Sequence, residues 1–117
     1  YMSERADLAT LIASCDAFVH PGDQETFGLA ALEAMACGLP VVGAHAAGLA
    51  ELVSSDVGIL VPPRNARALA DGIIALYERG PASVGVRARR LAERYAWDPL
   101  LERILQRYTA LAPRARP

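Results

Sequence analysis

The sequence predicts an α/β fold, a partial Rossmann-like three-layer domain with about three parallel strands flanked by helices. Short apolar runs that end in Pro or Gly alternate with longer amphipathic segments along the 117-residue chain, as they do in βαβ units. The chain offers three such runs, whereas a doubly wound sheet typically has about six strands. We therefore expect the second half of such a sheet, with an unpaired edge at its first strand.

The first two predicted elements are a helix and a buried strand. Ser3 can cap a helix whose apolar residues recur at helical spacing as far as Cys15. The apolar run 17–20 follows, and Pro21 and Gly22 end it. A short apolar run between turn residues is typical of a strand that is covered on both faces.

A second helix and a second strand come next. The helix is predicted to start near Thr26 or Phe27 and to extend to Cys37, where Gly38 supplies a left-handed end. The residues of this helix are almost all small or apolar, so we expect it to be buried nearly all round. The run 41–43 is the second strand.

The remaining elements continue the alternation. A short helical segment at 49–53 precedes a third strand at 58–61, and Asn65 can cap a helix at 66–79. The predicted core stripe of that helix consists of Leu69, Ala70, Ile73, Ile74 and Tyr77. Two more helices are predicted at 82–95 and 99–112, and the tail 113–117 should fray.

Composition excludes several function classes. The chain is 53% apolar, 21% charged and carries a formal net charge of −1, which disfavours a nucleic-acid partner recruited by charge. No apolar run approaches the roughly 18 residues of a membrane-spanning helix. Metal spacings such as CxxC or HExxH do not occur, so no metal site is predicted. A strand followed by GxGxxG does not occur either, which sets aside a NAD-type domain.

Two carboxylates stand out in the second helix and its approach. Glu25 precedes the predicted helix N-terminus, and Glu33 follows eight positions later among apolar residues. Free backbone N–H groups at a helix N-terminus attract anions, and Gly28 would let a phosphate approach closely. A buried acid needs partners, and a sugar's vicinal hydroxyls can supply them. An acid, an anion site and a second acid therefore match a nucleotide sugar.

Structural explanations for the same residues stay open. Glu33 could pair with an Arg of a neighbouring helix, and Glu25 could cap its own helix. His20 and His45, both at predicted strand ends, are interpreted as strand-end hydrogen-bonding residues rather than as ligand contacts.

These residues also resemble a known family. The segment 16–42 closely resembles the donor-site segment of family 4 (group 1) retaining glycosyltransferases; it reads DAFVHPGDQETFGLAALEAMACGLPVV. Its acids Glu25 and Glu33 match the family's E-x7-E motif. The resemblance continues through AAGLAELV, GILVPPRNARALADGI and YAWDPLLERIL, and so covers nearly the whole chain.

The resemblance implies a GT-B architecture, with two Rossmann-like domains facing across a cleft, of which this chain would be part of the C-terminal, donor-binding one. It implies that Glu33 binds the ribose hydroxyls of the nucleotide and that Glu25, the expected catalytic residue, contacts the transferred sugar. Thr26, Phe27, Gly28 and Leu29 complete the expected donor-binding set. The donor would be a UDP- or GDP-linked hexose, with no cofactor and no metal, because the helix dipole and basic side chains neutralise the departing diphosphate.

Departures from the family pattern lead to further expectations. The family's basic pair for the diphosphate lies upstream of Tyr1, and the acceptor domain is missing, so we expect the isolated chain to be inactive. Residues 1–112 are expected to form the partial donor-binding domain. An apolar stripe on the last helix suggests a homodimer when that helix lacks its N-terminal-domain partner. We expect the parent enzyme in the cytoplasm or at the inner face of the membrane. The alternative function is a non-catalytic Rossmann-like interaction module.

Overall fold

The computed structural model describes residues 5–111, in which strands and helices alternate as predicted. The strands are β1 (Phe18–His20), β2 (Val41–Ala44) and β3 (Gly58–Val61). The helices are α1 (Arg5–Ala13), α2 (Leu29–Ala36), α3 (Ala47–Leu52), α4 (Ala66–Arg79), α5 (Pro81–Glu93) and α6 (Trp97–Leu111). The predicted cap at Ser3 and the predicted tail at 113–117 lie outside the described residues.

The three strands form one parallel sheet in the order β1-β2-β3. Phe18 lies opposite Val41, and Val41 lies opposite Gly58. Within residues 5–111, β1 pairs with β2 alone, so the unpaired edge predicted at the first strand is confirmed. The parallel order places the carboxyl ends of all three strands at one edge of the sheet, and three connecting loops meet there.

Side chains that alternate along β2 define two cores. Val41 packs with α2, α3 and α5, through a cluster of buried residues that includes Ala31, Met35, Leu49, Leu52, Ala88 and Ala92. Val42 points to the opposite face, where it packs with Leu76 of α4 and Val84 of α5. Helices therefore cover both faces of the sheet, which is the three-layer arrangement that the sequence predicted.

The prediction of which α4 residues face the core is wrong. Leu76 is fully buried, whereas Ile74 is 59% exposed and Tyr77 is also exposed. Ala70 is exposed as well, and Leu69 and Ile73 pack at the margin of the core. The buried face of α4 is narrower than its apolar content indicates, because the helix packs mainly on β2 and β3.

The outer helices bury little. Leu8 and Leu11 of α1 are exposed, and no side chain of α6 is fully buried. The α6 residues with large exposed apolar side chains are Trp97, Leu101, Ile104, Leu105, Tyr108 and Leu111. We call the five of them from Leu101 onward the α6 stripe. Among the described residues, no helix is long and apolar enough to cross a membrane.

Candidate functional site

The site lies in the loop between β1 and α2, at the carboxyl edge of the sheet. This loop ends at Gly28, whose φ of 89° and ψ of 41° are left-handed. A right-handed helix does not continue through a residue in this conformation, and glycine adopts it without a steric penalty. The helix therefore begins at Leu29, and the predicted start at Thr26 or Phe27 is wrong because both residues belong to the loop.

The first turn of α3 packs against this loop. The backbone N–H of Gly48 donates a hydrogen bond of 2.9 Å to the carbonyl oxygen of Glu25. A Cβ at position 48 would lie 2.5 Å from the Cα of Phe27 and 2.6 Å from its N and C atoms. Real Cβ atoms essentially never lie within 3.0 Å of such an atom, so only glycine allows this approach. The loop and α3 are therefore in direct backbone contact.

Backbone donors are available where the loop enters α2. Among the described residues, the N–H groups of Phe27, Gly28 and Leu29 donate to no backbone or side-chain acceptor. The first N–H groups of a helix lack intrahelical partners, and the helix dipole adds partial positive charge there. The chemistry of this corner suits an anion with several oxygen atoms.

Glu25 precedes this corner in the same loop and is half-buried. Its side chain is 28% exposed, and its Oε2 atom lies 3.7 Å from Nε2 of His20 at the end of β1. Its backbone carbonyl is occupied by Gly48, while its carboxylate receives no hydrogen bond among the described residues. In the structure Glu25 does not cap α2, because the N-cap is Gly28 and no side chain bonds to the free helix end.

Glu33 is exposed, so the prediction that it is buried is wrong. Only one face of α2 is buried, the face of Ala31, Ala34 and Met35, which packs on the sheet and α5. Glu33 lies on the other face, about 6 Å along the helix from Leu29 at 1.5 Å per residue. Among the described side chains no ion pair involves Glu33, so the alternative of a structural Arg partner finds no support there.

Neighbouring elements fix the rest of the site. The ring of Phe27 meets the ring of Tyr95 edge to face, with centroids 5.8 Å apart, which ties the loop to the junction of α5 and α6. Asp23 accepts a 2.7 Å hydrogen bond from Nε of Arg64 in the loop after β3. A cleft of about 260 Å³ opens between these strand-end loops on the α4 side of the sheet, lined in part by Pro21 and Arg64.

Sequence reasoning missed two features of this site. The contact between Gly48 and Phe27 joins the first turn of α3 to a loop that is distant in sequence, and the pair Ala47-Gly48 alone gives little indication of it. The second feature is His20, which was interpreted as a strand-end hydrogen-bonding residue. Its Nε2 atom is shielded from solvent and has no hydrogen-bond partner among the described residues, so that interpretation is wrong for the side chain.

The fold and the site define a class of protein. A parallel α/β sheet whose strand-end loop opens onto a helix N-terminus is typical of Rossmann-like domains. The sequence pattern of one family, described as Glycosyl transferases group 1, matches residues 1–94. The chain belongs to this family, and the family resemblance noted from the motifs is confirmed.

Curated relatives agree with this assignment. A GDP-mannose-dependent alpha-(1-6)-phosphatidylinositol dimannoside mannosyltransferase of Mycobacterium tuberculosis is 35% identical over 116 residues, which is 99% of this chain and 30% of that protein. A D-inositol 3-phosphate glycosyltransferase of Geodermatophilus obscurus is 41% identical over 107 residues, 90% of this chain and 23% of that protein. The chain thus spans less than a third of the length of these relatives.

Solved structures agree as well. Anabaena Alr3699/HepE in complex with UDP superimposes with a TM-score of 0.81 at 35% identity, covering 92% of this chain and 31% of that one. The same protein with UDP-glucose gives a TM-score of 0.76 at 34% identity, again over 92% of this chain and 31% of that one. The predicted fold class, that of the GT-B C-terminal domain region, is confirmed.

Proposed function

We propose that this chain is the donor-binding part of a retaining hexosyltransferase and that it binds a nucleotide-diphosphate sugar at the carboxyl edge of its sheet. The observation that carries the proposal is the corner formed by Phe27, Gly28 and Leu29. It presents three backbone donors that have no partner within residues 5–111, and the carboxylates of Glu25 and Glu33 lie to either side of it along the chain. Residues 1–112 would constitute this donor-binding unit.

Each group of the donor has a chemical partner in this arrangement. The diphosphate accepts hydrogen bonds from the N–H groups of Phe27, Gly28 and Leu29, and the positive end of the α2 dipole favours its charge. Glu33 accepts hydrogen bonds from the two ribose hydroxyls, as acids do in dinucleotide folds. Glu25 contacts the transferred hexose, and Thr26, an exposed residue, offers its hydroxyl to the same part of the donor.

Catalysis of transfer needs stabilisation of the negative charge that develops on the departing diphosphate. Preorganised N–H donors in a site closed to water stabilise such charge far better than water does. The chain supplies these donors without a cluster of metal ligands, since no three His, Cys, Asp or Glu residues come together in its described part. Glu25 is the residue we propose next to the reacting sugar.

The names of the relatives indicate the substrate class. One relative is a mannosyltransferase that uses GDP-mannose, and one solved structure holds UDP-glucose. We therefore propose a UDP- or GDP-linked hexose as donor. We also propose that the parent enzyme works in the cytoplasm or at the inner face of the membrane. The name of this mannosyltransferase includes phosphatidylinositol, a lipid, which supports contact with a membrane.

Donor binding is tested by titration calorimetry with UDP and GDP. Glu33→Ala should weaken binding of the diphosphate that the wild type prefers by about 10-fold, because hydrogen bonds to a charged group contribute about 1.5–3 kcal/mol. Glu78→Ala, another exposed acid at the far end of α4, is the matched control and should bind like wild type. Binding that ignores Glu33 would favour the alternative, a non-catalytic interaction module.

The isolated chain should bind donor without transferring its sugar. It spans about 30% of the mannosyltransferase, and we propose that an N-terminal domain supplies the acceptor site. Incubation with UDP-glucose or GDP-mannose should release no free nucleoside diphosphate above the background of uncatalysed hydrolysis. Measurable turnover by the purified 117-residue chain would contradict this part of the proposal.

The α6 stripe should find a partner of its own. Its large apolar side chains, among them Leu105 and Tyr108, are exposed, and we propose that the N-terminal domain covers them in the parent enzyme. In the isolated chain a second copy would do so, which gives a homodimer. Light scattering should show a dimer for wild type and a monomer for Tyr108→Glu, whereas a wild-type monomer at high concentration would refute pairing.

A further inference from the structure

His20 occupies an unusual position at the end of β1. Its ring stacks nearly parallel to the ring of Phe18, with centroids 6.2 Å apart and planes 17° apart. Gly22 covers the edge of the ring, since a Cβ placed there would lie 3.4 Å from Nε2. These neighbours shield Nε2 from solvent, yet the atom has no hydrogen-bond partner among the described residues. Buried polar atoms without a partner are rare, and each one calls for an explanation.

The charged groups around His20 leave one acceptor available. Asp23, in the same loop, is engaged by Arg64 at 2.7 Å. The carboxylate of Glu25 receives no hydrogen bond from the described part of the chain, and its Oε2 atom lies 3.7 Å from Nε2 of His20. That distance exceeds an ordinary hydrogen bond by roughly 0.7 Å. A small movement of the Glu25 side chain would therefore close the bond and satisfy both atoms.

We propose that His20 is a positioning residue that orients Glu25 toward the sugar of the donor. This proposal rests on the proposed function. When the donor binds, Nε2–H of His20 donates to Oε2 of Glu25, which leaves Oε1 free to accept a hydrogen bond from a hydroxyl of the transferred hexose. A glutamate side chain has several rotatable bonds and loses their freedom on binding, so a fixed neighbour that holds one oxygen lowers that entropic penalty.

The proposal predicts that replacing His20 weakens the binding of the sugar part of the donor and leaves the binding of the nucleotide part unchanged. The measured quantity is the ratio of the affinity for a nucleotide sugar to the affinity for its bare nucleoside diphosphate, by calorimetry with UDP-glucose and UDP, or with GDP-mannose and GDP if wild type prefers guanine. His20→Ala should lower this ratio about 10-fold while affinity for the diphosphate stays within about twofold. A loosened loop would instead weaken both ligands together.

Further variants separate positioning from folding. His20→Phe keeps the stacking on Phe18 but lacks the N–H group, so it should lower the ratio as His20→Ala does, even if the alanine variant folds poorly. His20→Gln retains an N–H donor and should recover most of the ratio. His45→Gln, at the exposed position after β2, is the control and should match wild type. Removing His20 in a Glu25→Ala background should have no additional effect on the ratio.

The outcomes distinguish this inference from the proposed function. If binding depends on Glu33 but the ratio is the same for wild type and His20→Phe, the positioning role is overturned and the proposed function stands. The positioning role is also overturned if His20→Phe weakens both ligands equally, or if its effect persists in full without Glu25. If wild type binds no nucleotide, or binds it independently of Glu33, the proposed function fails and the role of His20 fails with it.

Discussion

Gly48→Ala tests the contact on which the candidate site depends. Position 48 lies in the first turn of α3, where alanine would be preferred over glycine by about 1 kcal/mol on helix propensity alone. The structure predicts the opposite sign. The added Cβ would lie 2.5 Å from Cα of Phe27, so the loop would have to retreat by about 1 Å to restore an ordinary contact.

The magnitude follows from three contributions. Overpacking against backbone typically costs about 1–3 kcal/mol. A retreat of the loop would also lengthen the 2.9 Å bond from Gly48 N–H to the Glu25 carbonyl beyond hydrogen-bonding distance, which costs about 1 kcal/mol more. After the gain of about 1 kcal/mol in propensity, the net loss is about 2 kcal/mol, or roughly 8 °C in Tm for a chain of this size.

The assay is urea unfolding followed by far-ultraviolet circular dichroism, because Trp97 is 73% exposed and reports folding poorly by fluorescence. Gly38→Ala is the matched control: a Cβ there meets nothing within 4 Å, and the only penalty comes from its φ of 86°. Both variants should lose stability, but only Gly48→Ala should also weaken diphosphate binding. A Gly48→Ala chain as stable as wild type would refute the close packing of α3 on the loop.

Three further predictions concern stability by the same denaturation assay. Ala47→Gly should stabilise the chain by about 1 kcal/mol, because its φ of 44° is strained for alanine but not for glycine; a loss of stability would contradict the backbone conformation. Asn65→Ala should cost about 1 kcal/mol, since its side chain accepts the N–H of Ala68 at 2.9 Å as an N-cap, and Asn65→Asp should be near neutral. Leu76→Ala should cost about 3 kcal/mol at a fully buried site, whereas Ile74→Ala, 59% exposed, should cost less than about 1 kcal/mol; the reverse order would mean that α4 presents its other face to the sheet.

Local patterns predicted the elements well because their determinants are local. Apolar runs bounded by Pro and Gly located the strands to within a residue, and Asn65 caps α4 as its position before the helix indicated. The start of α2 was misplaced because Gly28 was interpreted as a small residue inside the helix. Gly28 lies three residues after Glu25, which could have capped the helix. A glycine at that position is compatible with a helix or with a left-handed turn, and tertiary packing decides between them.

The contacts of the candidate site depend on tertiary structure and were harder to foresee. Gly48 reaches Phe27 across more than twenty residues, and the register of β1 against β2 brings them together. The rotation of α4 likewise depends on its packing against β2 and β3. The helix has more apolar residues than one buried face can hold, so the sequence alone could not reveal which of them are buried. The apolar content of α2 indicated burial on all sides, although only one face has a partner within the described residues.

The exposure of Glu33 changes the reason for expecting it to bind a ligand. A buried acid would have required a partner for its own stability, whereas an exposed carboxylate is satisfied by water. What now supports a role is its surroundings: Leu29, Ala30 and Ala36 are exposed on the same helix, so a single carboxylate lies in an otherwise small and apolar surface. A ribose ring has both an apolar C–H face and a pair of hydroxyls. A ribose could therefore pack its C–H face on the exposed apolar residues of α2 while its hydroxyls donate hydrogen bonds to Glu33. A helix that served only for packing would not need an acid surrounded by apolar residues on its exposed face.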